Sequence, residues 1–95
     1  MSNSIRPPTT SPWGAVEMAT HRGSGIWFVS TSSHGGFYVP PEMLGKMPQR
    51  YVERSFRDLG RLGWFEEDQD AVKVVASFPH LFSRAEVEQA LRWID

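Results

Sequence analysis

A chain of 95 residues that is 40% hydrophobic and 13% aromatic reads as one small domain with enough apolar surface for a packed core. It has no cysteine, which excludes a disulfide framework, a thiolate metal site and a thiol nucleophile, and which fits a reducing cytoplasm. The net charge of −1 argues against a dedicated non-specific nucleic-acid binder. That charge is unevenly placed. Residues 1–62 carry seven Lys and Arg against four Asp and Glu, whereas residues 63–95 carry three against seven. Such a chain can present a basic face and an acidic one.

Residues 1–11 are polar and rich in Ser, Thr, Asn and Pro. They read as a disordered tail rather than a signal peptide. No window reaches the roughly 18 apolar residues of a membrane span. The expected organisation is therefore a tail followed by a single α+β domain over residues 12–95.

Pro12-Trp13-Gly14 marks entry into the fold, and Ala15–Thr20 is a first strand candidate. His21-Arg22-Gly23-Ser24-Gly25 reads as a turn, with glycines able to take positive φ. Ile26–Thr31 is the best strand, with β-branched and aromatic residues in succession and an apolar character that implies cover on both faces. The chain is expected to reverse at Ser30-Thr31-Ser32-Ser33-His34-Gly35-Gly36 and to return along Phe37–Val39, making a three-stranded antiparallel meander.

The second half reads as helical. Pro41–Met47 can form a short turn with Pro41 at its first position. Pro48–Leu59 places Val52, Phe56 and Leu59 on one helical face, and Glu66–Ser77 does the same with Ala71, Val72, Val75 and Phe78. In Ser83–Ile94, Ser83 and Glu86 make a capping box, and Phe82 and Val87 take the hydrophobic-staple positions. Val87, Ala90, Leu91 and Ile94 form the expected buried stripe, meeting Val75, Phe78 and either Trp27 or Phe28. The architecture implied is a small three-stranded sheet packed by about three helices.

Three groups of residues could carry chemistry. At the reversal, His34 can act as acid, base or ligand, Ser33 and its neighbours offer hydroxyls, and Gly35 and Gly36 could let backbone N–H groups form an anion nest. Turn chemistry alone also accounts for these residue types. Glu66, Glu67, Asp68 and Asp70 offer oxygen ligands for a hard cation, although acidic residues at a helix start ordinarily complement the macrodipole. Ser33, His34 and Glu67 could be drawn as a triad, but adjacent residues rarely aim at one another. The sequence implies no metal and no cofactor, and it holds no glycine-rich phosphate loop and no nucleophile elbow.

The third group is a basic stripe. Arg50, Arg54, Arg57 and Arg61 follow i, i+4, i+7, i+11 spacing, with Lys46 one turn earlier, and on one helix they would form a face for phosphates or an acidic protein surface. Glu53 would pair with Arg57 on the same face.

Trp13-Gly14, Ser30-Thr31, Ser33-His34-Gly35-Gly36, Trp64-Phe65-Glu66-Glu67-Asp68 and Phe78-Pro79, in that order, resemble a family of small domains of unknown function. Its members are encoded by bacteriophages, plasmids and related mobile elements of proteobacteria. The resemblance spans roughly residues 12 to 82. It implies an accessory protein of the host cytoplasm, of the counter-defence or anti-CRISPR type. Such a protein would block a host protein or ribonucleoprotein complex by occupying its surface, with Lys46, Arg50, Arg54, Arg57 and Arg61 as contacts. The alternatives are a small enzyme or ligand-binding domain centred on His34 and Glu66-Glu67-Asp68, and a nucleic-acid-binding accessory domain. The sequence leaves the oligomeric state open.

Overall fold

The computed structural model describes residues 6–58 and 61–94. Its elements in chain order are β1 (Thr10–Ser11), β2 (Gly14–Ala15), β3 (Met18–Gly23), β4 (Ile26–Ser30), β5 (Gly35–Tyr38), α1 (Pro41–Leu44), α2 (Gln49–Glu53), β6 (Phe56–Asp58), β7 (Arg61–Glu66), α3 (Ala71–Ser77), a 3-10 turn (Pro79–Leu81) and α4 (Arg84–Trp93). Strands β3 to β7 form one five-stranded sheet in the order β3-β4-β5-β7-β6, antiparallel throughout, and β1 and β2 form a separate small hairpin.

The expected meander is present as β3, β4 and β5, but the sheet has five strands, not three. The helix expected over Pro48–Leu59 stops at Glu53, and Phe56–Asp58 is already a strand. Likewise Trp64-Phe65-Glu66 ends strand β7 instead of opening a helix, which begins only at Ala71. Two features hold the chain extended there. Phe56 pairs with Trp64, and Trp64 pairs in turn with Tyr38, so each aromatic gains a cross-strand partner. Gly63 takes φ +124°, a conformation that other residues strongly resist, beside an irregular register between β6 and β7. Buried Ser55 fastens this corner. Its hydroxyl donates to the Val52 carbonyl at 2.7 Å and accepts from the Gly63 N–H at 3.2 Å.

The β3–β4 hairpin turns at Ser24-Gly25, at φ 55° and 80°, a two-residue loop whose twist suits antiparallel strands. His21, Arg22 and Gly23 thus belong to β3 rather than to the turn.

Alternation divides the sheet into two covered faces. Ile26, Phe37, Val39 and Phe65 meet Val74, Val75, Phe78 and Ala90 in the main core, with Phe28 packed against it. Val29 and Trp64 are equally buried but lie outside that cluster, on the opposite face. That face also carries Trp27, paired to Tyr38 and with its ring tilted against that of His21 at 4.9 Å. Cover there comes from the N-terminal segment: Trp13 lies 5.8 Å from the Trp64 ring and 5.7 Å from Phe56.

Ordered structure therefore begins before residue 12. Thr10 and Ser11 pair with Ala15 and Gly14, Ser11 is buried, and residues 1–5 lie outside the described residues.

Helix α4 starts as its sequence dictates. Ser83 Oγ accepts from the Glu86 N–H, and Glu86 Oε1 accepts from the Ser83 N–H. Its buried stripe is narrower than expected. Ala90 is buried and Val87 packs against the core, whereas Leu91 is 58% exposed. Small Ala90 faces the core, and that rotation carries Leu91 out onto the polar row of Arg84 and Glu88.

Three substitutions test these contacts. A Cβ on Gly36 would collide with the Trp13 ring and come within 2.5 Å of the Phe65 carbonyl oxygen. Gly36→Ala should therefore cost about 1–3 kcal/mol in urea denaturation, and an unchanged midpoint would mean that Trp13 does not rest there. At the other end, Ser83→Ala should cost about 1 kcal/mol. The Ser83 N–H, and then Arg22 at 3.0 Å, hold the Glu86 carboxyl below its ordinary 4.5. A lowered folded value gives stability that is present above the unfolded value and lost as pH falls through the folded one. Glu86→Gln should accordingly flatten the acid limb of the stability profile. A limb of unchanged shape would remove Glu86 from the account.

Candidate functional site

Two places bring the sequence-predicted residues together. The first is the β4–β5 connection, residues 31–34, which Thr31 organises. Its hydroxyl donates to the His34 carbonyl at 2.9 Å and accepts from the N–H groups of Ser33 and His34. The reversal is complete before the glycines, and Gly35 and Gly36 belong to β5. Their small size serves close packing: Gly36 lies under Trp13, and Gly35 faces Phe28 and Glu67.

The acidic segment converges on this tip from β7. Glu67 and Gly35 clasp each other, the Glu67 N–H donating to the Gly35 carbonyl at 2.9 Å and the Gly35 N–H donating to Glu67 Oε2 at 3.1 Å. One donor of the expected anion nest is thus taken by the chain's own carboxylate. Glu66 Oε2 stands 3.5 Å from His34 Nδ1, with the His34 side chain half exposed. Asp68 lies in the following turn and is exposed, while Asp70 holds Lys73 at 3.0 Å. Among the described residues, no three His, Asp or Glu side chains are grouped so as to hold a metal ion.

The second place is an open groove of about 620 Å³ between α2, the β7–α3 turn and the end of α4. Arg50 and Arg54 line it together with Tyr51, Asp68, Lys73 and Trp93. The Arg50 guanidinium lies 4.8 Å from the centre of the Tyr51 ring, and Lys73 Nζ approaches the same ring at 5.7 Å. Among the described residues, neither the Arg50 nor the Arg54 guanidinium has a hydrogen-bonding or ion-pairing partner. Trp93 is 71% exposed, an unusual state for so large an aromatic.

The basic stripe is not one helix face. Arg50 and Arg54 sit on and just after α2, but Arg57 is on β6 and Arg61 on β7. Lys46 is exposed in the link between α1 and α2. Glu53 accepts from Gln49 rather than pairing with Arg57. Sequence reasoning found the two arginines and missed Tyr51, Lys73 and Trp93. The paired aromatic and cation at Arg50-Tyr51 was the available signal.

A family model for a domain of unknown function, DUF7007, matches residues 6–95. The chain belongs to the DUF7007 family. No curated protein and no solved structure matches this DUF7007 domain. Among its described residues no helix is long and apolar enough to cross a membrane.

The clasp gives the hairpin motif a structural role that can be separated from chemistry. Glu67→Ala would strip the buried Gly35 N–H of its acceptor and should cost about 1–3 kcal/mol. His34→Ala, at an exposed tip, should change stability by no more than about 0.5 kcal/mol. Urea midpoints in the reverse order would make His34, and not Glu67, the organiser of the tip.

Proposed function

We propose that this DUF7007 domain works by binding a macromolecular partner through the groove of Arg50, Arg54 and Trp93. The observation that carries the reading is the pair of guanidiniums without acceptors beside a largely exposed tryptophan. Arginine and tryptophan dominate binding energy at protein interfaces, and an unpaired guanidinium keeps its fork of donors available. The resemblance to small mobile-element domains supports a narrower reading. In it the partner is a host protein or ribonucleoprotein complex in the cytoplasm, and the domain is a counter-defence inhibitor of the anti-CRISPR type that blocks by occupying a surface.

A second reading makes the hairpin tip a small enzyme or ligand site. The approach of His34 Nδ1 to Glu66 favours it, since a carboxylate can orient an imidazole for proton transfer. Against it, the Thr31 hydroxyl and the Glu67 carboxylate are already engaged with backbone groups. A nucleic-acid-binding role is the third reading, and it predicts affinity that falls steeply with salt.

Affinity capture from a host lysate, read by mass spectrometry, separates these readings. Arg50→Glu with Arg54→Glu should abolish capture of the dominant partner, because losing desolvated charge contacts costs about 2–5 kcal/mol. The melting temperature should stay near that of the parent, both side chains being exposed. Capture at full strength by the double variant would defeat the groove assignment. Loss of activity in a folded His34→Ala protein would move the functional centre to the hairpin tip.

A further inference from the structure

The groove's charges are not equivalent, and their differences select an occupant. Lys73 and Asp70 stand 3.0 Å apart with side chains only 19% and 17% exposed, so they largely satisfy each other. Among the described residues that line the groove, Asp68 is then the one carboxylate without an ion pair, and it shares the lining with Arg50 and Arg54. The balance is a small cationic corner. Beside it, Tyr51 and the exposed Trp93 supply aromatic surface.

We infer that the groove takes a short acidic segment of a partner protein, in which an Asp or Glu lies next to an aromatic or large aliphatic residue. The carboxylate meets Arg50 and Arg54, whose planar forks match its two oxygens. The neighbouring apolar side chain covers Trp93. This inference rests on the binding reading and specifies its ligand.

The alternative oxyanion is a nucleic-acid backbone, and the fold disfavours it. Successive phosphates need a row of cations. Here the row is interrupted after Arg54, because α2 has ended and Arg57 rides on a strand. Asp68, without an ion pair, lines the same groove and would repel further phosphates. A single carboxylate requires only the two arginines.

A random peptide library displayed on phage, panned on the full chain and counter-selected on the Arg50→Gln/Arg54→Gln variant, tests the assignment. The expected result is enrichment of peptides with Asp or Glu within a residue or two of an aromatic or large aliphatic side chain. A labelled consensus peptide should bind at least about tenfold more weakly to that double variant and to Trp93→Ala. It should weaken similarly when its own acid is changed to the amide. The two sets of variants are independent, so misfolding of one does not shield the idea. Failure to enrich any sequence, or binding indifferent to the acid-to-amide change, overturns the inference. So does arginine-dependent binding of a labelled mixed-sequence single-stranded RNA in preference to the peptide. Those results leave the binding reading standing if lysate capture still depends on the arginines; capture indifferent to Arg50 and Arg54 removes both.

Discussion

The contact on which the rest of this structure depends is the Trp13 ring lying over the bare backbone of Gly36. A central strand with any side chain at that position would hold the ring away from the sheet. With glycine there, Trp13 reaches Trp64 and Phe56 and closes the face that the helices cannot cover. The indole Nε1 is buried with no hydrogen-bond partner among the described residues, so the anchor holds through shape and apolar contact rather than polar pairing. Covering both faces explains the composition of β7, where Trp64 and Phe65 are adjacent and both buried. One serves the N-terminal face and the other the helical core.

This arrangement also accounts for the motif residues. Trp13, Gly36 and Trp64 form the second core, and Glu67 clasps Gly35 beside Phe28 on the other face. Of the motif residues that resemble a catalytic kit, the glycines and Glu67 thus have packing or backbone-satisfying roles, whereas the His34 side chain stands half exposed beside Glu66. By contrast, nothing in the packing requires Trp93 to be exposed or Arg50 and Arg54 to lack acceptors. Residues that stability leaves unexplained are the better guides to recognition.

How much was legible follows from which forces are local. The capping box of α4 lies within four residues, and the structure shows both of its hydrogen bonds. The hairpin of β3 and β4 was visible in Gly23-Ser24-Gly25 and the strand that follows. The β6–β7 hairpin was not. Val52, Phe56 and the arginines at 50, 54 and 57 have helical spacing, and local pattern favours a helix throughout. The deciding partners are distant: Trp64 pairs with Tyr38, and Phe65 enters a core completed by Val74 and Ala90. The signals that could have corrected the reading were Gly63, which suits a bulge, and the Trp64-Phe65 pair, which favours extended chain. Leu91 failed for a related reason. Periodicity limits the buried arc of a helix, but the packing of small Ala90 sets its rotation.

The broken stripe changes what the arginines can do. On one continuous helix, five cations would form a rail suited to a polyanion. In the folded chain the end of α2 at Glu53 detaches Arg57 and Arg61 onto strands, while the turn after β7 brings Asp68 and Asp70 alongside Arg50 and Arg54. A uniform basic patch attracts by net charge and discriminates little. In a mixed groove the proposed acidic ligand would have to fit beside the chain's own carboxylate, so selectivity on this reading would come from what that carboxylate excludes as well as from what the arginines attract.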